Sequence, residues 1–150
     1  MSRVRVEVAH RFGVPVAQGF AYITDQENWP AYWPGLVRIE PGSHWSRPGD
    51  ETRLVVKLLG REVALRMTLT ALERDRLVEY TSVQAGLPDA RHERHFEGAG
   101  DAFDYRLVVE YEPRSGLRGI YDRLLVRPGV ARALRATIEN LERELGKRAG

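Results

Sequence analysis

The sequence predicts an α+β domain in which a curved antiparallel sheet of about six or seven strands wraps around a long C-terminal helix. Two short helices follow the first strand. Three observations lead to this fold class: residues 36–112 hold successive strand-like stretches, their connections are too short for crossover helices, and the apolar spacing becomes helical after residue 116. The 150 residues hold no repeat and no long linker, which indicates a single domain over 1–150.

The first strand and the two short helices are predicted from the N-terminal residues. Valines alternate with charged residues over the first eight positions, which places them on one face of a strand. Pro15 is typical of the start of a helix, where its fixed φ and missing N–H cost little. Asp25 is suited to cap a second short helix over 27–33, which Pro34-Gly35 ends.

Six further strands are predicted from alternating or continuous apolar residues. Turns that contain glycine, such as Gly60 and Gly98-Ala99-Gly100, separate several of them, so we expect neighbouring strands to pair antiparallel. The predicted ranges are 36–40, 51–59, 61–72, 77–83, 90–97 and 102–112.

After residue 116 the apolar residues are spaced by three and four, which predicts a long helix with one apolar stripe. Pro128 interrupts the stripe. Because proline removes a backbone donor and clashes with the preceding turn, we expect a kink or a break there. This helix is the only element large enough to cover the apolar face of the sheet. The stripe consists of Leu117, Ile120, Tyr121, Leu124, Ala131, Leu134, Ile138, Leu141 and Leu145.

Composition excludes several classes of protein. No stretch approaches the roughly 20 apolar residues of a membrane helix, and the N-terminus lacks the apolar run of a signal peptide. Without cysteine the chain has no disulfide, no thiolate nucleophile and no cysteine-ligated zinc site. We therefore expect a cytoplasmic protein that uses neither a cofactor nor a metal.

The charge is unevenly distributed along the chain. Residues 1–112 carry 14 basic and 17 acidic side chains, net −3, whereas residues 113–150 carry nine basic and four acidic ones, net +5. A basic terminal segment can attract nucleic acid or an anionic membrane. It can also be a solvated helix face, because three glutamates are mixed with the basic residues. Nucleic acid is not an expected partner, since no aromatic cluster for base stacking is interleaved.

The 90–97 strand carries the candidate polar groups. Phe96 is its only large apolar residue, and if Phe96 faces inward, the two-residue period carries His92 and Arg94 inward with it. Such groups are costly in a dry core, but a cavity filled with water or ligand removes that cost. Arg94 would then bind an acidic or carbonyl oxygen, and His92 would transfer a proton. The alternative is an edge strand with both side chains in water.

Tyrosines give a second indication of a site. Tyr105 and Tyr111 lie on the apolar face of the last strand, where a buried hydroxyl usually needs a partner. A bond to the backbone or to water is the commoner explanation for such residues. Tyr80 belongs to a strand that is apolar on both faces, so its orientation stays open.

Other chemical motifs are weak. His92 and His95 are three apart on a strand and therefore point to opposite faces, where they should not chelate one metal. Ser115-Gly116 lacks the surroundings of a nucleophile elbow.

Four segments carry a resemblance to a known family: VPVAQGFAYITD at 14–25, NWPAYWPG at 28–35, YDRLLV at 121–126 and ALRATIENL at 133–141. The chain resembles the helix-grip fold of the START-related superfamily, also called SRPBCC, with its lipid-transfer domains, polyketide cyclases/dehydratases and pollen-allergen-like proteins. The resemblance implies a cavity between the concave face of the sheet and the long helix. It also implies that Trp29, Tyr32 and Trp33 lie at the cavity mouth, as a lid over a ligand or as a plug of the core.

The first functional hypothesis is that a monomer or homodimer binds a small hydrophobic ligand, such as a lipid, an isoprenoid, an aromatic or a polyketide-like compound, in that cavity. The expected ligand contacts are Trp29, Trp33, Leu65, Met67, Tyr80, His92, Arg94, Phe96, Tyr105, Leu107, Tyr121 and Leu124.

Two alternatives stay open. A cyclase/dehydratase-type enzyme would use His92 as the base, with Arg94 or Tyr105 stabilising the developing oxyanion. A partner-binding domain would use the basic C-terminal helix, where Arg118, Arg127, Arg132 and Arg135 would contact an acidic protein, nucleic acid or a membrane.

Overall fold

A computed structural model describes residues 3–58 and 60–148. Leu59, the last residue of the predicted 51–59 strand, lies outside the described residues. The strands are β1 Val4–Phe12, β2 Leu36–Ile39, β3 Glu51–Leu58, β4 Arg61–Glu73, β5 Leu77–Gln84, β6 Ala90–Ala99 and β7 Ala102–Tyr111. The helices are α1 Val16–Thr24, α2 Trp29–Tyr32, α3 Leu117–Tyr121 and α4 Arg127–Gly146, with a 3₁₀ turn at Gln26–Asn28 and a π turn at Asp122–Val126.

The strands form one antiparallel sheet in the order β1-β7-β6-β5-β4-β3-β2. The strands from β2 to β7 pair with their neighbours in sequence, whereas β1 pairs with β7 and sets Val4 opposite Tyr111. The predicted α+β class and the strand number are therefore confirmed. Because β6 lies between β5 and β7, the alternative that 90–97 is an exposed edge strand is wrong.

The two short helices after β1 follow the predicted pattern. Pro15 immediately precedes α1 as its cap residue. The Asp25 side chain accepts a hydrogen bond of 3.0 Å from the Glu27 backbone N–H, so it caps the 3₁₀ turn that leads into α2. These helices bring Tyr32 and Trp33 to the inner side of the sheet.

The chain remains helical from α3 through α4, so Pro128 does not break the helix. The Arg127 N–H donates to the Asp122 carbonyl, five residues earlier, which closes the π turn. Pro128, which has no N–H to donate, follows directly after this wider turn, in the first turn of α4. The helix is therefore altered near Pro128 by a π turn, which widens it locally, and it is not broken there.

The predicted single apolar stripe is correct along α4 and wrong before it. Leu141 and Leu145 are fully buried, whereas Leu117 and Leu124 are 85% and 68% exposed. A π turn holds more residues per turn than an α-helix, so it changes the helix face that the preceding residues present. Val126 faces the interior instead.

An aromatic cluster fills one part of the space between the sheet and the helices. The rings of Phe96 and Tyr105 lie 4.9 Å apart, and those of Phe12 and Phe103 lie 5.3 Å apart, measured between centroids. These four side chains are almost completely buried. The remaining space, further along β6 and β7, is not filled by side chains and holds the cavity described next.

Candidate functional site

A cavity of about 250 Å³ lies between the sheet and α4. Most of its wall is apolar, and a few polar side chains interrupt it, which is the usual composition of a small-molecule site. The strands contribute Val56, Lys57, Leu58, Leu65, Tyr80, Ser82, Gln84, Ala90, His92, Arg94, Val109 and Tyr111. The helices and loops contribute Tyr32, Trp33, Pro34, Gly35, Leu87, Pro88, Val126, Val130, Ala133, Leu134 and Thr137.

Arg94 is the charged group at the centre of the site. Only 8% of it is exposed. Its Nη1 donates to the Tyr32 hydroxyl at 3.3 Å, and its Nη2 donates to the Tyr80 hydroxyl at 3.1 Å. The Nε has no hydrogen-bond partner among the described residues. The two tyrosines therefore satisfy the hydrogen-bonding capacity of this buried cation only in part.

Two aromatic rings contact the Arg94 cation. Its guanidinium carbon lies 5.4 Å from the centre of the Tyr80 ring and 5.6 Å from that of Trp33, within the range of cation–π attraction. Within residues 3–58 and 60–148, no carboxylate lies within ion-pair distance of this guanidinium. A guanidinium stays protonated in proteins, so the cavity wall carries a permanent positive charge.

His92 lies beside this cation, on the same face of β6. Its ring stacks on Tyr80, and its Nε2 lies 2.9 Å from the Ser82 hydroxyl oxygen. Burial of the imidazole, with a smaller contribution from the Arg94 charge, lowers the pKa of His92 to about 3. His92 is therefore neutral at physiological pH, with one nitrogen as donor and the other as acceptor.

Three tyrosine hydroxyls near the site are all held in their neutral form. Burial raises the pKa of Tyr32 and of Tyr111 to about 12. Burial also raises the pKa of Tyr105, whose hydroxyl has no hydrogen-bond partner in the described part of the chain. The Tyr111 hydroxyl donates to the Asp122 carbonyl at 3.1 Å, which ties β7 to the π turn.

Five of the twelve predicted ligand contacts line the cavity: Trp33, Leu65, Tyr80, His92 and Arg94. Leu107 borders an adjoining void of about 30 Å³. Trp29, Met67, Phe96, Tyr105, Tyr121 and Leu124 do not line the cavity.

The reasons for these placements differ. The Trp29 indole N–H donates to the Ile23 carbonyl at 3.0 Å, and the ring packs on Trp45, so Trp29 is part of the core rather than a lid. Phe96 and Tyr105 belong to the aromatic cluster, which fills the part of the interior outside the cavity. Leu124 lies inside the π turn, which changes the face of the helix, and is therefore exposed.

Several lining residues were not predicted from the sequence. Ser82 and Gln84 share the inward face with Tyr80 by the two-residue period, so the orientation of Tyr80 would have identified them. Leu87 and Pro88 come from a loop, and Val126 depends on the rotation of the helix at the π turn. The residues from the loop and from the π turn carry no periodic signal in the sequence.

Among the described residues, no group of three His, Asp or Glu side chains is arranged to hold a metal ion. No helix within that part of the chain is both long and apolar enough to cross a membrane.

Solved structures with this fold come from several bacteria. The Zhui aromatase/cyclase from Streptomyces sp. R1128 is 15% identical with a TM-score of 0.86, covering 99% of this chain and 97% of that one. A START superfamily protein from Mycobacterium smegmatis is 15% identical with a TM-score of 0.69, covering 97% and 96%. At these identities the likeness establishes the fold alone.

No curated protein matches this sequence. The model of the family described as polyketide cyclase / dehydrase and lipid transport matches residues 3–146, which is nearly the whole chain. The chain therefore belongs to the polyketide cyclase / dehydrase and lipid transport family.

Proposed function

We propose that this protein binds a small, largely apolar molecule that carries one acidic or carbonyl oxygen. The observation that supports the proposal best is the buried Arg94, which lines an apolar cavity and keeps its Nε without a partner among the described residues. A buried cation without a carboxylate is costly. An oxygen of a bound ligand would accept from the guanidinium and offset that cost.

The size of the cavity favours a compact ligand. Its volume of about 250 Å³ lies near the lower end of the range of roughly 300–1,000 Å³ for small-molecule sites. One or two rings or a short chain would fit better than a long acyl chain. Apolar burial at roughly 25 cal/mol per Å² would supply most of the affinity, and Arg94 would fix the orientation.

The family name supports the same class of ligand without selecting one member. Polyketides and lipids both combine an apolar skeleton with carbonyl or carboxyl oxygens. The neutral pair of His92 and Ser82, with oxygen and nitrogen 2.9 Å apart, would give a second polar contact beside Arg94.

The test is a matched ligand panel measured by native mass spectrometry and calorimetry. The panel compares 2-naphthoate, a methyl naphthyl ketone and naphthalene, which share a skeleton and differ in the oxygen. We expect the carboxylate and the ketone to bind more tightly than naphthalene. Arg94→Met should remove this preference, whereas Arg91→Gln, on the outer face of the same strand, should keep it. Failure of all three compounds to bind would contradict the proposal.

A second candidate function is catalysis of the cyclase/dehydratase type. The observation that favours it is a neutral imidazole next to a fixed cation, because a pKa of about 3 leaves His92 free to accept a proton at neutral pH. His92 would remove a proton from the carbon beside a carbonyl, while Arg94 and the Tyr80 hydroxyl would stabilise the enolate oxygen. The same low pKa makes His92 a weak base, so binding remains the first proposal.

Deuterium exchange distinguishes the two functions. A β-diketone incubated with the protein in heavy water would exchange its α-protons faster if His92 acts as a base. His92→Ala should then lower the rate by roughly 10²–10⁴-fold. A diketone that binds with no acceleration of exchange would leave binding as the function and exclude His92 as a catalyst.

A further inference from the structure

The helix before Pro128 presents apolar side chains to solvent. Leu117, Ile120, Leu124 and Leu125 are 85%, 55%, 68% and 53% exposed. Leu117, Ile120 and Leu124 follow the spacing of three and four that puts residues on one helix face. Large apolar side chains clustered in this way mark an interaction surface rather than ordinary solvated helix.

Arginines flank these apolar side chains. Arg118, Arg123 and Arg127 are exposed and lie to either side of the apolar face at helical spacing. We call these seven residues, the four apolar ones with the three arginines, the arginine–leucine face. In the part of the chain that the structure describes, none of the three arginines lies within 4 Å of a carboxylate oxygen.

Negative charge is lacking around this face. Asp122 is the only acidic residue between positions 113 and 138. It is completely buried and accepts three hydrogen bonds from Arg114, although the charge of Arg118 also helps to hold its pKa down. The face therefore combines protruding apolar side chains with an excess of positive charge.

The combination of apolar and basic side chains favours an anionic lipid surface over a second copy of the chain as the partner of this face. A second copy of the chain would bring arginines against arginines, and like charges across an interface are costly. An anionic lipid surface supplies negative headgroups for the arginines and an apolar layer for the leucines, as for helices that lie in a membrane interface.

We infer that the arginine–leucine face docks the protein on the surface of a membrane that contains anionic lipids. α3 and the π turn would lie in the interface, with Leu117 and Leu124 inserted among the acyl chains and the arginines at the headgroups. Val126 and Val130, further along the same continuous helix, line the cavity, so docking would hold the cavity wall close to the lipid.

The test is sedimentation with vesicles of phosphatidylcholine alone or mixed in equal parts with phosphatidylglycerol. The full chain should bind the anionic vesicles far more tightly, and added salt should weaken this binding. Arg118→Gln/Arg123→Gln should lower the partition coefficient by about 25-fold, at roughly fivefold per arginine. Leu117→Gln/Leu124→Gln should lower it by at least about tenfold, because apolar burial is lost.

Matched controls separate the face from general charge and hydrophobicity. Arg66→Gln/Arg74→Gln removes two exposed arginines, one on β4 and one in the turn after it, and should leave vesicle binding unchanged. Val37→Thr/Val83→Thr alters apolar residues that are 43% and 41% exposed elsewhere, and it should also leave binding unchanged. All four variants change surface positions, and circular dichroism checks that each is folded.

Three results would overturn the inference. The first is equal binding to neutral and anionic vesicles. The second is unchanged binding of both variants of the face. The third is a dimer in analytical ultracentrifugation that Leu117→Gln/Leu124→Gln dissociates while vesicle binding is absent, which would assign the face to a second copy of the chain.

Discussion

The phenol ring of Tyr80 lies parallel to the imidazole of His92, with centroids 4.4 Å apart and planes within 5°. The same Tyr80 accepts a hydrogen bond from Arg94 through its hydroxyl. One tyrosine thus contacts both polar side chains that β6 directs into the cavity. The site holds one permanent positive charge, and a second charge on His92 is disfavoured by burial and by Arg94.

This arrangement predicts a specific pH dependence of stability. The folded pKa of His92, about 3, lies below its ordinary value of 6.5, so the unfolded chain binds more protons between these two values. The stabilising contribution is complete above pH 6.5 and decreases as the pH falls towards 3. Between pH 7 and pH 5 the free energy of unfolding should decrease by roughly 1–2 kcal/mol through this group.

The contribution of His92 is isolated by comparison with His92→Phe, which keeps an aromatic ring for stacking and does not titrate. Urea unfolding of both proteins at several pH values gives their difference, in which the other titrating groups cancel. We expect this difference to change between pH 7 and pH 5. A constant difference over that range would show that His92 titrates normally in the folded protein.

Arg94→Met should lower ligand affinity without lowering stability. Arg94 is buried without a carboxylate partner, and replacing such a cation by an apolar side chain of similar length removes a desolvation cost. We expect the free energy of unfolding to stay the same or to rise by up to about 4 kcal/mol. Thermal and urea unfolding check this, and a large loss of stability would mean that the hydrogen bonds to Tyr32 and Tyr80 outweigh the cost of burial.

Ala133→Leu should fill part of the cavity from α4. Ala133 lines the cavity, and leucine keeps a high helix propensity. We expect a gain in the free energy of unfolding of roughly 0.5–2 kcal/mol, as for other cavity-filling changes. Ligand affinity should fall at least tenfold, on the order of the apolar contact area that is lost. Ala136→Leu, on the same helix outside the cavity lining, is the matched control, and calorimetry of both variants measures the effect. Equal affinities would place the ligand elsewhere.

Asp122→Ala should destabilise the protein by about 3 kcal/mol, the lower end of the loss expected when one partner of a buried ion pair is removed. Burial alone would raise the pKa of Asp122, but the hydrogen bonds from Arg114 hold this pKa below its usual value. Asp104→Ala is the control, because its pair with Arg11 is exposed and should contribute less than about 1 kcal/mol. Urea unfolding of the two variants should rank them in this order.

The strands could be predicted because a two-residue period follows directly from strand geometry. On β6 the single residue Phe96 indicated the inner face, and the structure places Arg94 and His92 on that face. On β5 the same argument failed, because apolar residues occupy both faces of the strand. The orientation of β5 depends on its packing in the folded protein, which places Tyr80 and Ser82 on the inner face.

The remainder of the site depends on features that have no periodic signature. The π turn changes the face of the helix, so Leu124 lies outside although its spacing matches the buried stripe. Trp29 is fixed in the core by a hydrogen bond to the Ile23 carbonyl, which spacing alone does not predict. Loop residues such as Leu87 reach the cavity through backbone turns rather than through a repeated pattern.

The pairing of β1 with β7 has a consequence for the nascent chain. The two strands are separated by about 100 residues of sequence, a long-range contact of the kind that slows folding. Each of β3 to β6 can pair with the strand made just before it, as soon as it leaves the ribosome, whereas β1 emerges first and waits for β7. Val109 and Tyr111 of β7 also line the cavity. The sheet wall of the cavity and the partner of the first strand are therefore completed in the same late step of synthesis, before α4 covers them.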